Sequence, residues 1–372
     1  MDFGRRDFLL SAAAAAVAPG LLSGEAAAQG RGDRPLGYAI VGLGIYGLGV
    51  IIPQFANCTH SRLAAVVSGD PAKARKVAAE HGLPERSVYS YASFDSIRDN
   101  PDVDIVYVCL PNSMHAEYVI RAARAGKHVM CEKPMATSVA ECEAMIAACK
   151  RANRKLMIGY RCHFEPYNLE AMRLARTGAA GKIRYVRSEH GFVQHDPAAW
   201  RLDRKRSGGG SLMDMGIYSL QAARYMTGEE PIAVQATEST DRNDPRFHSV
   251  EDQIDWTLTF PSGAIGACKS MYSANQNHVI LMGDQGRIEL EPATRYDGNH
   301  MWLGKDGRER EVTPPPGPRK TQFAGQLDHL VDCIATGREP IVSGEEGLRD
   351  MRIIEAIYRS AREGRTIRLD RA

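Results

Sequence analysis

Two stretches far apart in the chain carry groups that take up, hold and return protons. Glu132-Lys133-Pro134 sets an ammonium beside a carboxylate, and the proline fixes the following turn and so aims the lysine. Further on, the loop Gly208-Gly209-Gly210 runs through Ser211-Leu212-Met213 into Asp214-Met215-Gly216-Ile217-Tyr218. Asp214 and Tyr218 are four residues apart and so share one helix face. Carboxylate, ammonium and phenol are all side chains that serve in acid–base chemistry. Each stretch also has a plainer reading: a loop tripeptide, and a helix N-terminal acid followed by a half-buried aromatic.

A third stretch, Gly42-Leu43-Gly44-Ile45-Tyr46-Gly47, is a GxGxxG. Such a match arises readily by chance in a chain with 35 glycines, so its surroundings decide. It follows an expected strand at 38–41 and opens an expected helix at 47–55, the start of a βαβ unit. There the glycines permit a tight turn and close backbone approach, and the helix N-terminus offers free N–H groups to a pyrophosphate. A bound dinucleotide follows. At the end of the second strand, Val66-Val67, an NAD site wants a carboxylate for the ribose 2′-OH. Ser68-Gly69 stands there instead, with Lys73 one helical turn on to neutralise a 2′-phosphate, which favours NADP. Asp70 is the residue that speaks for NAD.

The elements that must position these groups fall into two halves. Strands at 63–67, 105–110, 128–131 and 156–158 alternate with helices at 71–81, 116–125 and 139–151. Near-continuous apolar strands between helices mean a doubly wound parallel sheet of the Rossmann type. Beyond about residue 180, strands are expected at 183–192, 233–240, 254–260, 265–272, 279–282 and 287–290, with a helix at 215–226 and two closing helices at 322–336 and 345–362. This is an α+β domain with a large, mainly antiparallel sheet. Helices cover one face, and a partner subunit is the usual cover for the other, so a homo-oligomer is expected. The division expected is 1–30, 31–160 and 161–372, with the final helices free to pack back on the first sheet.

Composition narrows the partners. Lys and Arg number 47 against 45 Asp and Glu, a balance of +2 that gives no electrostatic reason to expect nucleic acid. Gly4-Arg5-Arg6-Asp7-Phe8 precedes an Ala- and Leu-rich run over 8–22 and the small residues Ala26-Ala27-Ala28. That is the layout of a twin-arginine export signal, placing the mature protein in the periplasm with no inserted segment. The eight cysteines form no Cys-x-x-Cys pair, which suits a protein folded in the cytoplasm before export. His115, His128, His163, His190 and His195 lack ligand spacing, so no metal is expected.

Taken together, Gly42 to Gly47, Leu110-Pro111-Asn112-Ser113-Met114-His115, Glu132-Lys133-Pro134, Gly159-Tyr160-Arg161, Trp200-Arg201 and the Gly208 to Tyr218 stretch resemble the Gfo/Idh/MocA oxidoreductases. The match runs in order over nearly the whole chain after residue 37. Within that family it is most similar to the exported glucose–fructose and aldose–aldose oxidoreductases. The resemblance implies that Lys133, Asp214 and Tyr218 are catalytic. It places Leu43, Ile45 and Tyr46 with the glycines, Tyr91 along the cofactor, and Leu110, Asn112, His115 and Glu132 around the nicotinamide ribose. Arg161, Trp200 and Arg201 would close over the nicotinamide end, and Tyr296 would reach it from the second domain. Oxidising a sugar hydroxyl needs a base for its proton. A free phenol, with a pKa about 10, ionises too little at neutral pH, and a neighbouring ammonium eases that. Outside the cytoplasm there is no evident pool of free NADP(H), so the expectation is a tightly held cofactor. One aldose is then oxidised to its lactone and a second sugar reduced to an alditol, in ping-pong order. The rival expectations are a conventional sugar or inositol dehydrogenase with exchangeable cofactor, and a non-catalytic NADP-binding sensor.

Overall fold

Tyr38 to Val41 are fully buried, as a strand covered on both faces requires. They belong to β1 (Leu36–Val41) in the computed structural model, which describes residues 34–370 except Pro318. The export signal expected in residues 1–30 lies outside the described residues. After β1 the chain enters a short helical run, a π turn (Gly47–Ile51), α1 (Ile52–Gln54) and a 3-10 turn (Phe55–Asn57). Then come β2 (Ser61–Val67), α2 (Pro71–Glu80), β3 (Val88–Tyr89), β4 (Ile105–Val108), α3 (His115–Arg124), β5 (His128–Cys131), α4 (Val139–Arg151) and β6 (Leu156–Ile158). The six strands are parallel in the order β3-β2-β1-β4-β5-β6. The order reverses between β1 and β4, and at such a switch the strands' carboxyl ends open a crevice for ligands.

The second half comprises α5 (Pro166–Arg176), β7 (Ile183–Gly191), α6 (Arg204–Ser207), α7 (Ile217–Thr227), β8 (Ala233–Ser239), β9 (Gln253–Thr259), β10 (Ile265–Met271), β11 (Gln276–Gly283), β12 (Gly286–Leu290), β13 (Met301–Lys305), β14 (Arg308–Glu311), α8 (Gln322–Thr336), α9 (Gly344–Glu363) and β15 (Ile367–Arg368). Its nine strands run β14-β13-β12-β11-β7-β10-β9-β8-β15, antiparallel except for the β7–β10 pair. Val186, Ser188 and His190 of β7 are buried on the side where α7 packs, while Arg184 and Arg187 are exposed. The opposite face carries Tyr185, Ile265, Ile280, Met282 and Trp302 among charged residues. α5, α6, β13, β14 and β15 were not among the expected elements. β14 is Arg-Glu-Arg-Glu, fully exposed, with no apolar alternation to mark it.

α8 crosses back to the first sheet. Phe323, Leu327, Leu330 and Val331 pack on Tyr38, Ile40, Ile105, Tyr107 and Met130, and the Tyr38 hydroxyl donates to the Leu327 carbonyl at 2.7 Å. Among the described residues no helix is long and apolar enough to cross a membrane.

Candidate active site

The glycine loop after β1 has the shape its sequence demands. Gly42 has φ +102°, and a Cβ there would lie 2.3 Å from the Cys109 carbonyl oxygen; one on Gly47 would lie as close to the Gly42 carbonyl oxygen. A Cβ on Gly44 meets nothing within 4 Å, so this glycine faces open space in the crevice. Ile45 beside it is 93% exposed, whereas Leu43 is buried in the core and Tyr46 packs edge-on against Phe323 of α8. These features fit a pyrophosphate cradle.

Asp70 does not wait at the end of β2 for a ribose. It caps α2, its carboxylate accepting from the Ala72 and Lys73 amides at 3.0 Å each. Ser68 accepts from the Asp70 amide at 3.0 Å and keeps its own hydroxyl hydrogen. Lys73 is exposed in the first turn of α2. Tyr91 lies over Gly69, where an added Cβ would sit 3.0 Å from its ring. Ser68, Gly69, Lys73 and Tyr91 therefore gather at one end of the crevice with the carboxylate turned to capping.

At the other end, three elements bring the acid–base groups together. Lys133 follows β5, joined to Pro134 by a cis peptide, and its Nζ donates to the Asp214 carbonyl at 2.6 Å and to Asp214 Oδ1 at 3.1 Å. The same ammonium lies 4.7 Å above the centre of the Tyr218 ring. Asp214 sits in a π turn (Leu212–Gly216) that continues into α7, which carries Tyr218. Its second oxygen meets Arg201 Nε at 2.9 Å and the Tyr272 hydroxyl at 3.2 Å. Burial works against the Asp214 carboxylate, but Arg201 and Lys133 outweigh it and hold its pKa at about 2. Burial likewise works against the Lys133 ammonium, yet Tyr218 and Asp214 keep its pKa above the ordinary lysine value. Both groups are charged at neutral pH.

The turn that holds Asp214 is anchored from β9's leading edge. Glu251 accepts from the Gly210 amide at 2.8 Å, the Leu212 amide at 3.0 Å and the Tyr358 hydroxyl at 2.8 Å. Only glycine fits at Gly210, where a Cβ would lie 2.1 Å from the Glu251 carbonyl oxygen.

Arg161 follows β6, 5% exposed, with Nε donating to the Tyr218 hydroxyl at 3.2 Å. Its guanidinium also lies over the Tyr296 ring at 4.8 Å, and Arg201 stacks on Trp200 at 4.6 Å. Glu132 accepts the Tyr107 hydroxyl, and Gln326 of α8 donates to that same hydroxyl at 3.1 Å. Burial raises the Glu132 pKa, with Tyr107 and Lys133 acting against it. Asn112 ties the β4 turn to the Ser207 carbonyl at 2.8 Å beside half-buried Pro111, and Leu110 is buried beneath.

The structure does not bring His115 to the crevice. It is fully buried, with its two ring nitrogens 3.0 Å from the Pro134 carbonyl and 2.9 Å from the Leu110 carbonyl. It braces one loop on the other and has no nitrogen left for a ribose. Tyr272, Glu251, Gln326 and His190 were not foreseen as parts of this site. Tyr272 lies just past β10, 58 residues from Asp214, and only the sheet order brings the two together.

Two other places hold polar groups. His278, Glu289 and Glu291 lie with ligand atoms within 4.8 Å of one another on the second sheet. Arg187 donates to His278 Nδ1 at 3.3 Å, so Nε2 carries the proton it shares with Glu289 at 2.8 Å: a hydrogen-bonded cluster as it stands. A cavity of about 1140 Å³ runs along α9 past Glu229, Arg349 and Arg359, and includes none of Lys133, Asp214 and Tyr218.

The chain is similar to known proteins. Residues 36–160 match the profile of the oxidoreductase family with an NAD-binding Rossmann fold, GFO_IDH_MocA, and residues 174–369 match that family's C-terminal alpha/beta domain. The crystal structure of aldose-aldose oxidoreductase from Caulobacter crescentus, complexed with glycerol, superposes with a TM-score of 0.89 at 60% identity, covering 90% of this chain and 100% of that one. The NADP(+)-linked D-xylose 1-dehydrogenase of Haloarcula marismortui is 30% identical over 348 residues, 91% of this chain and 94% of its own. Inositol 2-dehydrogenase of Rhizobium meliloti is 28% identical over 317 residues, 82% of this chain and 91% of its own. With both halves matched in order, the chain belongs to the Gfo/Idh/MocA family of oxidoreductases.

Proposed function

We propose that the protein is an NADP-dependent sugar oxidoreductase that keeps its dinucleotide through successive turnovers. It oxidises an aldose at C1 to the aldonolactone and reduces a second sugar carbonyl to an alditol. The observation that carries this reading is the Lys133–Asp214–Tyr218 cluster at the carboxyl edge of a dinucleotide-type sheet. The 60% identity to an aldose-aldose oxidoreductase supports it.

Gly42, Gly44 and Gly47 would hold the pyrophosphate, and Ser68 and Lys73 the 2′-phosphate, next to Tyr91. When bound, NADP supplies the site with a hydride acceptor and, once reduced, a donor. The chain's own residues handle the proton. Among the described residues no acceptor takes the Tyr218 hydroxyl hydrogen, so that oxygen is free to exchange a proton with a sugar hydroxyl. Lys133, fixed by two bonds to Asp214, stays charged beside it. By microscopic reversibility the same phenol serves oxidation and reduction.

The paired Arg5-Arg6 and the apolar run after it support export to the periplasm by the twin-arginine route. Retention of NADP(H) follows from that location. The partly exposed apolar residues Tyr185, Ile265 and Met282 on the second sheet's outer face support assembly with further copies of the chain.

Steady-state rates over a grid of donor and acceptor sugars test the reading. Protein purified without added cofactor is expected to turn over and to give parallel double-reciprocal lines. Intersecting lines, with activity that requires free NADP, would make it a conventional dehydrogenase instead.

A further inference from the structure

Arg161 is a buried cation without an anion. Its four hydrogen bonds go to neutral groups: Nη1 to Gln322 Oε1 at 2.9 Å and the Arg295 carbonyl at 3.4 Å, Nη2 to the Thr294 carbonyl at 2.5 Å, and Nε to the Tyr218 hydroxyl at 3.2 Å. Among the described residues no carboxylate comes within ion-pair distance of it. A guanidinium does not give up its proton, and burying one uncompensated is costly. Of the four partners, Tyr218 alone can become an anion.

The other groups facing Tyr218 are already committed. Lys133, from the end of β5, is paired with Asp214 on the preceding turn. Asp214 is in turn shared with Arg201 and Tyr272. Tyr296 and Tyr46 are phenols, and burial raises the pKa of each. His190 of β7 lies beside the Tyr218 ring, centroids 5.8 Å apart. Ser219 spends its hydroxyl hydrogen on the Lys269 carbonyl at 2.9 Å, so it accepts from His190 Nδ1 at 2.9 Å. The proton of His190 is thereby placed on Nδ1, and burial with nearby Arg161 holds its pKa at about 3, so the ring is neutral. It neither competes with the cations nor supplies the missing anion.

We propose that Arg161 is a catalytic residue that holds Tyr218 Oη by its Nε–H and stabilises the phenolate which accepts the sugar hydroxyl proton. Loss of the phenol proton to solvent turns an uncompensated cation into an ion pair, and uptake of the sugar proton restores the neutral phenol. The inference rests on Tyr218 being the base, as proposed above. It assigns Arg161 to the proton rather than to the nicotinamide end alone.

The test combines two readouts over a pH series on purified protein. One is the single-turnover reduction of bound NADP by glucose. The other is the NMR titration of ¹³Cζ-labelled tyrosine, with Tyr218→Phe identifying the resonance. Arg161→Gln is expected to move both the acid limb of the rate profile and the Tyr218 titration upward by about one to two pH units, the worth of one hydrogen bond to a charged oxygen. That is a rate roughly ten- to a hundredfold lower at the foot of the limb, recovering at high pH. Arg161→Lys keeps the charge without the fork and should fall between; it carries the test alone should the glutamine variant not fold. Unmoved limb and titration in these variants, with or without loss of bound cofactor, overturn the inference while leaving Tyr218 as base. A near-normal rate in Tyr218→Phe instead overturns the reading beneath it.

Discussion

Asp214→Asn removes the one negative charge shared by Lys133 and Arg201 while keeping the shape of the side chain. The wild-type carboxyl is held at about 2 against 3.8 for an ordinary aspartate, and its side chain is 15% exposed. That difference corresponds to roughly 2 kcal/mol of folded-state stabilisation at neutral pH. The folded carboxyl titrates below the unfolded one. The contribution is therefore complete above about pH 4 and disappears as the pH falls toward 2. At about 2–4 °C per kcal/mol for domains of a few hundred residues, Asp214→Asn should melt roughly 4 °C or more below wild type at pH 7. The gap should be flat from pH 8 to 5 and close below 4. Scanning calorimetry of both proteins over that range decides it. Equal melting temperatures at pH 7, or a gap that widens on acidification, would refute the ion-pair account of the site.

Three further outcomes are expected. Lys73→Glu should weaken NADP binding well beyond NAD binding, since it sets an anion in the first turn of α2 beside Ser68; equal losses in titration calorimetry would put the 2′-phosphate elsewhere. Glu251→Gln sets an amide donor against donors it now accepts from and should cost about 1–3 kcal/mol of stability, with kcat falling as the Asp214 turn loosens; an unchanged kcat would detach that anchor from catalysis. Arg5→Lys with Arg6→Lys should leave a folded, active protein in the cytoplasm, and normal periplasmic recovery of that double variant would sink the export proposal.

The parallel sheet was legible because its main strands are continuous apolar runs and the helices at 71–81 and 116–125 end on Gly82 and Gly126. The helices at 139–151 and 322–336 and the strand at 128–131 stand where the periodicity puts them. α5, as long as α2 and α3, was passed over, and β14 has no apolar residue at all. At the site, Lys133, Asp214 and Tyr218 were singled out by their unusual local strings, and the structure brings the three together. Tyr272 and Glu251 carry no such string; they act through sheet neighbours that only the folded topology defines. His115 misled because its motif follows the switch-point strand, whereas its two nitrogens are taken by backbone carbonyls. Asp70, the residue that spoke for NAD against the NADP reading, has its carboxylate held by the helix it starts.

The return of α8 to the first sheet bears on how the chain is made. The surface of that sheet formed by Tyr38, Ile40, Ile105, Tyr107 and Met130 is closed by Phe323, Leu327, Leu330 and Val331. A ribosome delivers β1 to β6 long before residue 323, so the nascent dinucleotide half carries an open apolar flank until α8 follows. Gln326, which reaches the Tyr107–Glu132 pair, arrives with the same late helix. The nucleotide site is therefore completed only once the chain beyond residue 323 has been made, and a ribosome stalled before that point leaves a fragment with a bare hydrophobic flank, a natural target for chaperones and proteases.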